Sequence, residues 1–247
     1  SKLNLVVAVH AENEQIIKAN SSQSIAINDV RNHSKIRSRE AAVKAVKLAL
    51  ELAKKHKTKL YICHVSTKEE IEMIREAKKQ GIKIYAEVTP HHLFLTENDY
   101  GELGTKAQMN PPLRTLEDQK ALWQAIDDNT IDTIGTDHAP HTLEEKAKPY
   151  PLSPSGVPGI ETCLPLLLNA HNEGKITLQK ITELTRTNIQ KIFNLPDNDD
   201  KAIVDLNLKK EVKNENLKTK CRWSPFNNWT LAGWPIYTIL NNKVYKI

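Results

Sequence analysis

The chain has 247 residues, 39% of them hydrophobic and 26% charged, with a formal net charge of +5. Such a length can bury a substantial core as one large domain or two small ones, and the composition is ordinary for a soluble globular protein. No apolar run approaches the ~20 residues that cross a bilayer, the opening Ser1-Lys2-Leu3-Asn4 lacks a signal-type pattern, and three cysteines give no paired framework. The expectation is a cytoplasmic protein that neither enters a membrane nor is secreted. The positive charge is spread as Lys44, Lys47, Lys54, Lys55 and Lys57 with Glu40 and Glu51 between them, which reads as a solvated helix face and not as a nucleic-acid patch.

In chain order, strand-like and helix-like runs alternate, the pattern of βα units on a parallel sheet. Asn4-Leu5-Val6-Val7-Ala8-Val9 ends in His10-Ala11-Glu12. After Ser38, Ala42, Ala45, Val46, Ala49, Leu50 and Ala53 recur at helical spacing. Lys59-Leu60-Tyr61-Ile62 ends in Cys63-His64-Val65-Ser66. Thr67 with Glu70 predicts a capping box, followed by the stripe Ile71, Ile74, Ala77 and a stop at Gly81. Ile82-Lys83-Ile84-Tyr85-Ala86 ends in Glu87-Val88-Thr89-Pro90-His91-His92. Thr115 and Thr177 are expected N-caps for helices ending near Asp128 and Phe193. Pro165 is placed in the first turn of a helix ending near Glu173, with Gly174 as its stop.

The run Ile131-Asp132-Thr133-Ile134-Gly135 leads into Thr136-Asp137-His138-Ala139-Pro140-His141. From there to Gly159 the prolines and glycines predict an irregular loop of the kind that serves function. Beyond Pro196 short strand-like pieces take over, and Asn241-Asn242 predicts a hairpin turn of the primed type.

Four apolar runs thus end in side chains of the kinds that can bind metals. In parallel α/β folds the carboxyl ends of strands carry the chemistry. Imidazoles and carboxylates are ligands that a catalytic Zn²⁺ takes, and such an ion lowers the pKa of a bound water from 15.7 to about 7. An aspartate beside it can accept that proton and pass it to a leaving nitrogen, a role that suits Asp137. A lone Asp-His pair would more simply be a cap and a core histidine; repetition at three other strand ends argues for a site. His91 and His92 read as supporting residues, His56 as a histidine placed at a helix C-terminus, and His33 and His171 as surface residues. Trp223, Trp229 and Trp234 read as packing in the terminal β region.

These motifs resemble those of dihydroorotases of the amidohydrolase superfamily, particularly the group that includes the animal multifunctional pyrimidine enzyme. The similarity lies in His-Ala-Glu at 10–12, Cys-His-Val-Ser at 63–66, Glu-Val-Thr-Pro-His-His-Leu at 87–93 and Asn-Pro-Pro-Leu-Arg at 110–114. It continues in Thr-Asp-His-Ala-Pro-His-Thr-Leu-Glu-Glu-Lys at 136–146 and Gly-Val-Pro-Gly-Ile-Glu-Thr at 156–162. Related allantoinases and hydantoinases share the scaffold. The resemblance implies that His10 and His64 bind one zinc, while Asp137 binds a second and acts as general acid/base. It implies a third zinc in the animal-type group, with Cys63 and Glu87 as ligands, although Cys63 equally suits a buried small hydrophobe. Asn110 and His141 would contact substrate, with Asn110 alternatively bracing Pro111-Pro112, and the backbone of Ser155 and Gly156 would hold the ring amide.

The resemblance also implies a His-x-His pair, a bridging carboxylated lysine and a substrate-binding arginine, none of which this sequence supplies. The expected architecture is therefore α/β, the C-terminal part of a (β/α)8 TIM-type barrel over 1–195. An accessory β segment is expected over 196–247. The implied reaction interconverts N-carbamoyl-L-aspartate and L-dihydroorotate in pyrimidine biosynthesis. The implied associations are a homo-oligomer and a transcarbamoylase.

Overall fold

The computed structural model describes residues 5–22 and 28–247. Asn4, which opens the first apolar run, lies outside the described residues. Four parallel strands, β1 (Val6–Val9), β2 (Lys59–Ile62), β3 (Ile84–Val88) and β4 (Thr133–Ile134), lie side by side in chain order. The register pairs Val9 with Ile62, Ile62 with Ala86 and Val88 with Ile134. Neighbouring strands sit about 4.8 Å apart, so this alignment gathers the residues that follow each strand along one rim. The ladder runs on past the strands, with Cys63 N–H donating to Val9 O, Val65 N–H to Glu87 O and Gly135 N–H to Val88 O.

The connecting helices form where the sequence predicts them. Arg39–His56 buries Ala42, Val46, Leu50 and Ala53 on one face. It ends at left-handed Lys57, which leaves His56 in its last turn. Lys68–Lys79 begins in the expected Thr67–Glu70 capping box and is closed by Gly81 at φ +75°. Leu116–Asp127 is capped by Thr115. Their apolar faces meet the sheet in one core that contains Ile62, Ala86, Val88, Ile71, Ile74, Leu122 and Ile126. Burying each such side chain is worth about 1.5–3 kcal/mol. Among the described residues β1 and β4 are the edges of this sheet.

A second sheet is antiparallel: β5 (Lys201–Glu211), β6 (Thr230–Leu240) and β7 (Lys243–Lys246), in that order. Asn241 and Asn242 join β6 to β7 at φ +50° and +62°, the geometry of the primed turn their identity predicts. Trp223, Phe226 and Leu231 pack with Leu166, Met109 and Tyr150 in a second apolar cluster.

Three expectations are corrected. Pro165 does not lie in a first turn, because the helix Ile160–Asn172 already starts after Gly159, whose N–H donates to His138 Nδ1. The helix thus carries the proline internally; Gly174 follows as its stop at φ +76°. The 142–159 segment is not wholly irregular, since Thr142 and Glu145 form a capping box for a short helix, Leu143–Lys146. His33 is not on the surface but 4% exposed, enclosed by Tyr150 and Met109. Thr177 does cap a helix, which passes through a π-helical segment at Glu183–Thr187 before reaching Phe193.

Candidate metal and substrate site

His10 leaves β1 and His64 leaves β2, and their rings meet edge to face with His10 Nδ1 and His64 Nε2 3.0 Å apart. The other nitrogen of His10, Nε2, lies 2.9 Å from Glu12 Oε2. An ionised carboxylate only accepts, so Nε2 carries the proton and Nδ1 turns its lone pair toward His64. Glu12 is held in turn by Arg37, whose Nε and Nη2 donate to Oε2 at 2.9 and 2.6 Å. Burial pushes the Glu12 carboxyl up, but the bonds from His10 and Arg37 outweigh it and hold the group at about 2. Burial, helped by the nearby His10, pushes His64 below the ordinary histidine range.

Among the described residues, His64 Nδ1, Glu12 Oε1 and His91 Nε2 are buried polar atoms without hydrogen-bond partners, which is rare in a native fold and calls for an explanation. Two of the left-handed non-glycine residues also lie here. His64 and Asp137 hold φ +37° and +42°, a left-handed conformation that costs roughly 1–3 kcal/mol for a non-glycine residue and gathers at functional sites.

Asp137 is exposed, and its charge is felt by His64, Cys63 and Glu87. Glu87 accepts from Tyr61 Oη at 2.7 Å and from the His64 N–H at 3.3 Å. Burial raises its carboxyl above the usual range, against the pull of Tyr61. Gly135 makes room for it, since a Cβ there would stand 2.2 Å from Glu87 Oε2. Burial, with Glu87 and Asp137 adding to it, pushes the Cys63 thiol up to about 11, so it stays protonated at neutral pH unless a cation is at hand. His92 is structural: Nδ1 pairs with Thr89 Oγ1 and Nε2 donates to Pro111 O.

The residues expected to contact substrate come from two loops. His33 Nε2 donates to Met109 O at 2.9 Å and Asn110 Oδ1 at 3.0 Å, while Nδ1 accepts from Tyr150 Oη at 3.1 Å. The Asn110 oxygen is thus occupied and its amide NH2 is turned away from His33. His141 Nε2 donates to Ser155 O at 3.2 Å, which leaves Nδ1 with a lone pair. The His141 carbonyl accepts from Trp223 Nε1 at 2.7 Å. Gly156, at φ +133°, comes so close that a Cβ would stand 2.6 Å from Ala139 O; its N–H donates to Gln108 O and its carbonyl accepts from Lys146. The Gly156 carbonyl keeps a second lone pair for a ligand. Sequence reasoning missed His33, Glu12 with Arg37, and Lys146; the Thr142–Glu145 capping box was the one local signal that could have placed Lys146.

The donor set fits part of a zinc shell. Two nitrogens on one tetrahedral zinc, each 2.0–2.1 Å away, stand about 3.3 Å apart, close to the His10–His64 spacing. A carboxylate behind the outer nitrogen of a ligating histidine is the usual supporting arrangement, and Glu12 provides it. Among the described residues no group of three His, Cys, Asp or Glu side chains is arranged to hold a metal.

The partial parallel barrel, with histidines and an aspartate along its carboxyl rim, is similar to solved hydantoinases of the amidohydrolase superfamily. L-hydantoinase (dihydropyrimidinase) from Arthrobacter aurescens superposes with a TM-score of 0.94 at 28% identity, over 98% of this chain and 57% of that one. Dihydropyrimidinase from Brevibacillus agri gives 0.92 at 26%, over 98% and 57%. In sequence the chain is a homologue of dihydroorotases. It is 38% identical to that of Methanosphaera stadtmanae across all of this chain and 61% of the relative. With that of Staphylococcus epidermidis it shares 44% across 74% of this chain and 45% of the relative. The chain therefore spans roughly half to three fifths of the curated relatives it matches. No family model matches it.

Proposed function

We propose that the complete polypeptide carrying this chain is a zinc-dependent dihydroorotase, interconverting N-carbamoyl-L-aspartate and L-dihydroorotate. The observation that carries this reading is the His10–His64 pair on adjacent strand ends, in a chain homologous to dihydroorotases throughout its length. His10 and His64 would hold one zinc and Asp137 a second; Cys63 and Glu87 are the candidates for a third. Bound there, zinc supplies Lewis acidity to the ring amide and makes water a stronger acid. In the hydrolytic direction Asp137 takes a proton from the attacking water and delivers it to the departing ring nitrogen. The Asn110 amide and His141 orient the ligand, and the backbone at Ser155 and Gly156 meets the ring amide. The remaining ligands come from residues outside this chain, and the barrel residues 1–195 act with an accessory β segment, 196–247.

The structural neighbours favour a second reading, a hydantoinase-type cyclic amidohydrolase. Rates of the full-length, zinc-loaded protein on dihydroorotate, hydantoin and allantoin separate the two. Turnover of dihydroorotate at least a hundredfold above the others is expected; preference for hydantoin would overturn the dihydroorotase reading. The protein is further proposed to work in the cytoplasm as a homo-oligomer, with a transcarbamoylase as a candidate neighbour. Absence of turnover and of bound zinc from the full-length protein would instead indicate a scaffold.

A further inference from the structure

Lys146 ends the Leu143–Lys146 helix and is 1% exposed, an unusual place for an ammonium. Its Nζ donates to the carbonyls of Gln108 at 3.1 Å, Pro154 at 2.8 Å and Gly156 at 3.1 Å. Three protons thus meet three acceptors, and no carboxylate is among the partners found in the described residues. The indole of Trp223 lies beneath, its centroid 6.0 Å from Nζ. Burial pulls the group down to about 8. An ammonium taken from water without a counter-anion is costly, so the three carbonyls must repay most of its lost hydration.

Those carbonyls belong to two segments that border the candidate ligand site. Gln108 lies two residues before Asn110. Pro154 and Gly156 flank Ser155, whose carbonyl accepts from His141. The two segments are also stitched directly: Gly156 N–H donates to Gln108 O at 2.9 Å, and Gln108 Nε2 donates to Ser153 O at 2.8 Å and Ser155 Oγ at 3.1 Å. Lys146 Nζ grips both segments from a single atom.

We propose that Lys146 is a positioning residue: its ammonium draws the 153–156 backbone against Gln108 and so fixes the gap between Asn110, His141 and the loop that receives a cyclic-amide ligand. The inference rests on the reading of this loop as the ligand-facing one. Methionine at 146 keeps the apolar stem and removes the donor common to the three carbonyls, leaving Gln108 O with the Gly156 N–H alone. Arginine keeps the charge but spreads its donors over a planar fork that cannot converge on the same three acceptors.

The test uses the full-length zinc-loaded protein and its Lys146→Met and Lys146→Arg variants, followed by amide hydrogen exchange and by steady-state kinetics on dihydroorotate. In Lys146→Met, exchange at 153–157 should quicken at least tenfold while β2 and β3 keep their protection. KM should rise about tenfold or more with kcat within about threefold, the pattern of lost ground-state binding. Lys146→Arg should fall between the two. Unchanged exchange at 153–157 and unchanged KM in the folded Met variant would overturn the proposal. If that variant does not fold, an unchanged KM in Lys146→Arg overturns it. A wild-type protein without dihydroorotate turnover refutes the dihydroorotase reading instead, and the exchange measurement still decides whether Lys146 sets the loop.

Discussion

The two sides of the candidate site are built to different degrees of completion. On the loop side, around Asn110, His141, Ser155 and Gly156, most polar groups are matched to one another: His33 to Asn110, His141 to Ser155, Lys146 to three carbonyls, with Gln108 Oε1 the buried exception there among the described residues. On the strand-end side, His64 Nδ1, Glu12 Oε1 and His91 Nε2 stay buried and unmatched, the His10 side chain is 43% exposed, and Asp137 is open to solvent. A region whose hydrogen bonds are closed holds its shape by itself. One with orphaned atoms and left-handed non-glycine residues waits on something further. In the proposed reading, the loop side is built largely within this chain, while the strand-end side is the less complete of the two.

Experiments can break this contrast or sharpen it. The largest effect belongs to Asp137: Asp137→Ala in the full-length protein should lower kcat by about 10²–10⁴-fold, the usual worth of a general acid/base, with melting temperature unchanged. Retained turnover would remove Asp137 from the mechanism.

His33 probes the closed side through pH. Burial holds His33 at about 4 against 6.5 for the free group, so between those values the unfolded chain binds a proton that the folded one refuses. Stability is then full above pH 6.5 and is lost as pH falls toward 4, by about 3 kcal/mol for this group. His92, held at about 3, adds in the same direction. Urea midpoints measured from pH 7 to 4.5 should fall less steeply in His33→Gln than in the wild type; parallel slopes would show that His33 is not buried neutral.

Glu12 probes the open side. Glu12→Gln removes the carboxylate behind His10 and should weaken zinc binding by about 10–100-fold, read by competition with a chromophoric chelator. Equal affinity would mean that Glu12 serves only Arg37. The smallest change is at Gly135, where Gly135→Ala sets a methyl against Glu87 and should cost about 1–3 kcal/mol of stability through overpacking. A neutral result would show that Glu87 has room to shift.

The strand ends were legible in the sequence because each apolar run stops abruptly at a polar motif, and a parallel sheet turns four such stops into one rim. Local chemistry was legible as well: the Thr67–Glu70 box and the Asn241-Asn242 turn depend on residues within four positions of each other. What stayed hidden depends on distance along the chain. His33 is buried by Tyr150, 117 residues away, and Lys146 looks like any helix-end lysine until its acceptors at 108, 154 and 156 are brought around it. The Glu12–Arg37 pair spans 25 residues and has no periodic signature. Pro165 was misjudged for a subtler reason: its helix begins where Gly159 and Ile160 donate to His138, a long-range cap that no local motif announces.

The indole of Trp223 bonds to the His141 carbonyl from a fully buried position beside the Lys146 ammonium. Indole emission shifts with the field of nearby charges and with the hydrogen bond at its nitrogen. The protein thus carries its own optical gauge behind the 141–156 segment, and a rearrangement of His141 or Lys146 will register as a change in emission colour.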